Sequence, residues 1–422
     1  MRLPKILKGL AVAVLVAGSS VVATPAASAA AADPGGVGAV GAVTSPDVLA
    51  KPTSMPIARP GATAAQPRVA GAQTCVETSE TRSVCIAPAP PSRQAARMAL
   101  APVAFPSWCA SSDGTPVAGT RTEACKITGL ILTTQQTVNG TVRITGELLM
   151  DVYDFTYGAV DRPNWIHQIG LSPYSGWGDA RNSTVTGTLS VSGDCVVNGA
   201  SSFPVQSLAP ANNTSRVGEA GARTTATAVG AVGDCTTKWN LRFQPVGYPQ
   251  ATASSEMAEI MCDNAVGANG SRPARVGCVV AWYPARVLYS QSRYPSLASH
   301  VSRAQGSGLP GATITDPLHR NVDQASINLN RSRACGDAPN ISGKSCDEYP
   351  LASTFQGLAF GGTRRTFSGC NINAPTNVTG PSGASACMIT AGENNAQGGI
   401  MAAFYYDYRV LHSDPFRVGI GS

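Results

Sequence analysis

Twelve cysteines divide this chain into short closed segments, and no other feature of the sequence limits its fold so strongly. An even count permits complete pairing in an oxidising compartment. In chain order they fall as Cys75 and Cys85, Cys109 and Cys125, Cys195 and Cys235, Cys262 and Cys278, Cys335 and Cys346, and Cys370 and Cys387. Spacing does not fix connectivity, but short loops close at the least entropic cost, so neighbour-to-neighbour pairing is the expectation. A zinc site is disfavoured because no two cysteines have the C-x₂₋₄-C spacing and the chain has only 4 histidines.

The N-terminus accounts for the compartment. Arg2, Lys5 and Lys8 precede the apolar run Leu10 to Ala17, and Ala27-Ser28-Ala29 has the small-x-small form of a cleavage site. Residues 1–29 therefore read as a signal peptide, and the protein as secreted and extracellular. No other run approaches the roughly 18 apolar residues of a membrane span. Residues 30–103 read as a flexible Ala/Gly/Pro-rich leader, because the stretch to about 73 has few charges and no periodicity with which to offset its ordering entropy.

Charged residues make up only 13% of the chain and aromatics 6%, while Gly (44) and Pro (30) are plentiful, which suits short strands and turns better than a helical bundle. Over 104–262, Thr141 to Thr145, Leu149 to Tyr153 and Thr184 to Val191 alternate in the strand manner, with Asn139-Gly140 as a hairpin signal. This region reads as an all-β sandwich-like domain, with Trp165, His167 and Trp177 as packing residues rather than a ligand groove. The net charge of +6 is mild and fits a solvated basic surface as readily as an acidic partner. Neither a Gly-x-Ser-x-Gly elbow nor a Walker sequence occurs, which argues against a serine hydrolase or a nucleotide-binding protein.

Residues 273–422 carry the chemistry. Val287-Leu288-Tyr289 is strand-like, Ser296 to Ala304 suits a short helix, and 305–345 reads as a polar loop holding Arg320, Arg331 and Arg333. Cys346-Asp347-Glu348-Tyr349-Pro350 follows, and the proline obliges the chain to turn or to run as an edge, which holds both acids at a surface or cleft. A Cys335–Cys346 bridge would pin that turn. Cys387 to Thr390 predicts a strand that leads into Gly392-Glu393-Asn394-Asn395 and then a helix, since Ile400, Phe404 and Tyr408 recur every fourth residue. Asparagine suits the N-cap of such a helix. Two acids and polar oxygens at a helix start are the hard donors that a divalent cation takes.

Asp347 to Thr354, with Val287-Leu288-Tyr289 and Ser292-Arg293-Tyr294-Pro295 upstream and Glu393-Asn394-Asn395, Arg409-Val410-Leu411 and Asp414-Pro415-Phe416 downstream, resembles the secreted NucA/NucB-type deoxyribonuclease family. The resemblance covers roughly 280–422. It implies a small α+β domain of ββα-metal, His-Me-finger-like form, and a secreted endonuclease that hydrolyses DNA, with RNA as a second candidate substrate, with little sequence specificity and a divalent cation, for which the oxygen-only donors here favour Mg²⁺ or Mn²⁺. It further implies an aspartate base where relatives in the wider superfamily carry a histidine. By this resemblance Asp347 is the catalytic acid with Glu348 as its neighbour, and Asn394 is the metal-binding asparagine; the residues' own chemistry adds Glu393 or Glu348 as a further candidate metal oxygen. Gln356 stands where the family usually has a glutamate, and Asn395 where a basic residue often follows the metal asparagine.

From 273 onward twelve Lys and Arg face eight Asp and Glu, and Arg364, Arg365 and Arg320 are the candidate phosphate contacts. The expected partner is a DNA substrate, and the expected state a monomer. Two other readings stay open: a non-catalytic exported binding protein with a degenerate nuclease domain, and a nuclease toxin delivered to other cells.

Overall fold

The computed structural model describes residues 47–52, 73–77, 81–92 and 103–422, so the signal peptide and most of the expected leader lie outside the described residues. Strands dominate. All six disulfides pair neighbours in sequence, as loop-closure entropy predicts.

A nine-stranded sheet is built around three long antiparallel strands, Glu123–Val138, Thr141–Gly158 and Asn164–Gly178. The Asn139-Gly140 hairpin between the first two behaves as its sequence predicts: φ is 49° at Asn139 and 75° at Gly140, the left-handed pair that a two-residue turn requires. A six-stranded sheet centres on Val232–Pro245, which pairs with Ser183–Gly193, Ala251–Glu256 and Ile260–Asp263. One hydrophobic cluster draws on both sheets, among others through Leu148, Met150 and Ile169 from the first and Trp239, Leu241 and Phe243 from the second. Trp165 and His167 are buried, whereas Trp177 is half exposed and donates to Glu147.

Two stretches differ from the sequence reading. Arg82–Ala89, inside the expected leader, is a core strand whose eight residues pair with Glu123–Val138, and its Val84 is fully buried. The apolar run Val84-Cys85-Ile86 and the Cys75–Cys85 bridge supply what the poorer stretch before it lacks. Gly277–Val279, just past the start of the expected nuclease region, still pairs with Ile260–Asp263 in the six-stranded sheet.

The C-terminal portion contains all three α-helices of the described residues: α1 (Pro295–Gly306), α2 (Gln324–Cys335) and α3 (Ala391–Asp407). Two small sheets accompany them. In one, Ala285–Ser290 runs parallel to Pro415–Gly421, which also pairs with Leu318–His319; in the other, Gly383–Thr390 lies between the edge strands Lys344–Tyr349 and Thr363–Arg365. A common core joins both sheets to α1 and α3 through Tyr289, Leu297, Val301, Tyr349, Ile389, Met401, Phe404 and Phe416.

Helix α2 occupies what the sequence presents as a polar loop. Only Ile327, Asn330 and Ala334 are buried on it, too narrow a stripe to register as an apolar period, yet Asp323 caps it by accepting from the Ser326 N–H at 2.9 Å.

Two buried arginines lock this portion to the β-sheets. Arg121 donates to Asp414 Oδ2 at 2.7 Å and to the carbonyls of Tyr408, Arg409 and Tyr283. Arg409 reaches the opposite way, to Asp263 Oδ2 at 2.7 Å and to the carbonyls of Asp263, Arg275 and Val160. Every one of these side chains is at most 4% exposed, so each charge depends on its partner for solvation. Arg409→Ala, which strands a buried Asp263 carboxylate, should cost about 3–5 kcal/mol in urea unfolding, and an Arg409→Met/Asp263→Leu double variant should lose clearly less.

Candidate active site

The site forms on the edge strand Lys344–Tyr349, which ends at Tyr349 because Pro350 cannot continue the ladder. Asp347 and Glu348 are therefore consecutive residues of a strand rather than two acids within one turn, and successive strand residues face opposite ways. Their partners show this directly. Cys346 is bridged to Cys335 at the end of α2, and Glu348 feels the charge of Arg331 on that helix. Ser345 and Asp347 instead meet α3 and α1.

Asp347 is 3% exposed, and its Oδ2 lies 2.6 Å from His300 Nδ1 on α1. His300 Nε2 contacts Ser385 Oγ at 3.0 Å on the neighbouring strand, and Ser385 Oγ donates to the Tyr349 carbonyl at 3.2 Å. No donor among the described residues meets Asp347 Oδ1. His300 escapes the sequence reading because its acid stands forty-seven residues away. The one signal for it was the α1 pattern, in which Leu297, Val301 and Ala304 are core and His300 shares their buried face.

Glu348 is half-buried. Burial first, and then the adjacent Asp347 charge, push its carboxyl up to about 7, against the opposing pull of Arg331 and the Ala352 N–H. The two neighbouring acids thus sit in different environments, the arrangement that separates a proton donor from a proton acceptor.

Helix α3 begins at Ala391 after Thr390, earlier than the sequence predicts, so Glu393 and Asn394 lie in its first turn rather than at the cap. Its buried face runs through Gln397, Met401, Phe404 and Tyr405, while Ile400 and Tyr408 flank that face. Asn394 Nδ2 donates to Ser345 Oγ and to the Cys346 carbonyl, both at 2.9 Å, which ties the helix start to the residue before Asp347. This fixes the amide, and its Oδ1 meets no donor among the described residues. Glu393 turns elsewhere: its Oε2 accepts from the Leu297 N–H at 2.9 Å and caps the first turn of α1.

The three phosphate candidates all have protein partners. Arg365 is 1% exposed and donates to Ser307, Gly380 and Ser382; burial pulls its pKa down. Arg364 forms a two-pronged pair with Asp337. Arg320 lies over the Tyr405 ring at 4.2 Å, donates to the Val410 carbonyl and is likewise pulled down by burial. Adjacent basic letters did not reveal this, because each guanidinium is absorbed by a different loop. Arg331, exposed on α2, is the basic side chain whose charge reaches Glu348.

Gln356 spends both ends of its amide on His319, accepting from the backbone N–H and meeting Nδ1 at 3.0 Å. Burial keeps that imidazole towards its neutral form, so the amide fits where a carboxylate would face a lone pair. Asn395 is exposed.

Among the described residues no three His, Cys, Asp or Glu gather as a metal cluster. The oxygens at hand are the oriented Asn394 Oδ1 and the acids nearby. Such a set fits a hard cation that keeps most of its own water, as Mg²⁺ does, and not a metal that needs nitrogen or sulfur.

The raised Glu348 pKa sets a pH test. Its folded-state affinity for the proton exceeds that of the unfolded chain, so this stabilisation is complete below about pH 4.5 and is lost as pH rises through about 7. Urea midpoints of the wild type should carry this decline, and Glu348→Gln should lack it and gain relative stability at pH 8.

No curated protein and no solved structure matches the chain. Residues 315–419 match the family model described as Deoxyribonuclease NucA/NucB, a range that contains Asp347, Glu348, Glu393 and Asn394 but begins downstream of His300. By that match, the C-terminal third of the chain carries a NucA/NucB deoxyribonuclease-family domain.

Proposed function

We propose that the protein is a secreted, divalent-metal-dependent endonuclease that hydrolyses the phosphodiester bonds of DNA with little sequence specificity. One observation carries the reading: within the matched segment, the amide of Asn394 is bonded to the backbone immediately before Asp347, so a cation-seeking oxygen and a carboxylate share one edge of one strand. Lys344–Tyr349 pairs antiparallel with Gly383–Thr390, which runs directly into α3, and we read these two strands and the helix as the ββα-metal element, with the short strand Thr363–Arg365 inserted between the two strands in sequence. The two large sheets that share a core we read as a sandwich, with 104–262 and 273–422 as the working division into a β-rich and a nuclease domain.

In this mechanism Asp347 Oδ1 accepts a proton from water as the water oxygen bonds to phosphorus. The ester P–O bond breaks, and the leaving oxygen regains a proton from solvent. Asn394, with the remaining oxygen of Glu393, would hold the cation, which when bound neutralises charge developing on the phosphate, while Glu348, on the opposite face of the strand, stands outside that set. Arg331 is an exposed basic group on the face opposite Asp347, so its attraction for the phosphate backbone acts at a distance and should weaken with salt. Six disulfides support an extracellular setting, and no helix among the described residues is long and apolar enough to cross a membrane.

Supercoiled plasmid incubated with the purified protein should be nicked in Mg²⁺ or Mn²⁺ and spared in EDTA. Asp347→Asn should lower the rate by about 100-fold or more while leaving the unfolding midpoint near wild type. An intact plasmid under all metal conditions would leave the exported binding protein as the better reading.

A further inference from the structure

We infer that His300, which lies upstream of the matched segment, is a positioning residue that holds Asp347 by one oxygen and so aims the other at water. This rests on the reading of Asp347 as the base, and it deepens that reading.

Counting protons along the buried chain assigns the partners of the ring. The Tyr349 carbonyl only accepts, so the single proton of Ser385 Oγ is directed there, and Oγ must accept from His300 Nε2–H. The opposite nitrogen, Nδ1, stands 2.6 Å from a carboxylate oxygen, a distance that requires a proton between them. The imidazole thus bridges Asp347 on one strand and Ser385 on the next. Because these strands are hydrogen-bonded neighbours, with Asp347 opposite Cys387, the ring is clamped across the sheet. Phe367 packs edge-on at 6.2 Å, and His300 shares the buried face of α1 with Leu297, Val301 and Ala304. At 1% exposure His300 cannot touch a substrate. Its effect must pass through Asp347, whose side chain would otherwise be free to rotate and to lose the alignment on which water activation depends.

Two isosteric variants separate this role from simple packing. Asparagine places its amide nitrogen where Nδ1 stands and keeps the bond to Asp347; glutamine reaches the Nε2 position and keeps only the bond to Ser385. On plasmid DNA with Mg²⁺, His300→Gln should lower kcat by about 10- to 100-fold with KM little changed, whereas His300→Asn should stay within about fivefold of wild type. Equal losses in the two variants, or full kcat in His300→Gln, would overturn the inference. A ¹⁵N NMR spectrum of the histidine ring in the metal-free protein gives a readout independent of turnover. A proton on Nδ1 that shifts in Asp347→Asn supports the clamp, and a bare Nδ1 overturns it. A dead Asp347→Asn beside a fully active His300→Gln would sink this inference alone, while a wild type that never cuts would sink it together with the nuclease reading.

Discussion

The twofold alternation of a single edge strand organises the candidate site. Along Lys344–Tyr349 successive side chains leave on opposite faces, and each face has its own fastener. On one, the Cys335–Cys346 disulfide binds the strand to the end of α2; on the other, Asn394 and His300 bind it to α3 and α1. A slip of one residue would exchange the faces, carrying Asp347 towards α2 and Glu348 into the buried polar chain. The covalent link and the two side-chain contacts therefore specify the same register from opposite sides. Chemistry follows from that register, because it gives two adjacent carboxylates two different surroundings, one held by an imidazole and the other desolvated beside an arginine.

How much of this the letters reveal depends on the range of the forces involved. The disulfide pairing, the long hairpin through Asn139-Gly140, the end of the strand at Pro350 and the existence, though not the start, of the helix that carries Asn394 all rest on local rules, and they are legible. Helix α2 is not, since its buried stripe is three residues wide and much of its stability comes from partners remote in sequence: Asn330 donates to the Ala352 and Thr354 carbonyls and accepts from the Ala359 N–H. The arginines fail for a related reason. Arg364 and Arg365 are neighbours in sequence, but one pairs with Asp337 and the other is buried among the carbonyls of three residues.

Glu393 and His300 form the most instructive pair. The sequence puts Glu393 forward because it adjoins Asn394, yet the fold sends its carboxylate to the N-terminus of α1, where the helix dipole and a free N–H attract it. The same helix returns the favour by presenting His300 to Asp347, three residues beyond the capped Leu297. Capping by Glu393 thus sets the seat of α1, and through α1 the position of His300, so a residue proposed as a ligand also bears on the acid at a distance.

The crossed arginines have a consequence for how such a protein can arise. Arg121 lies in the β-rich part and completes a socket made by Asp414 and the end of α3; Arg409 lies in the C-terminal part and completes a socket made by Asp263 and its neighbours. Each half carries a plug for the other and a cavity that the other must fill. A gene fusion that swapped in a foreign β-rich partner would leave one cation and one anion stranded on the C-terminal half. Each half is therefore completed by a side chain of the other, so the two pairs tie the choice of one half to the sequence of the other.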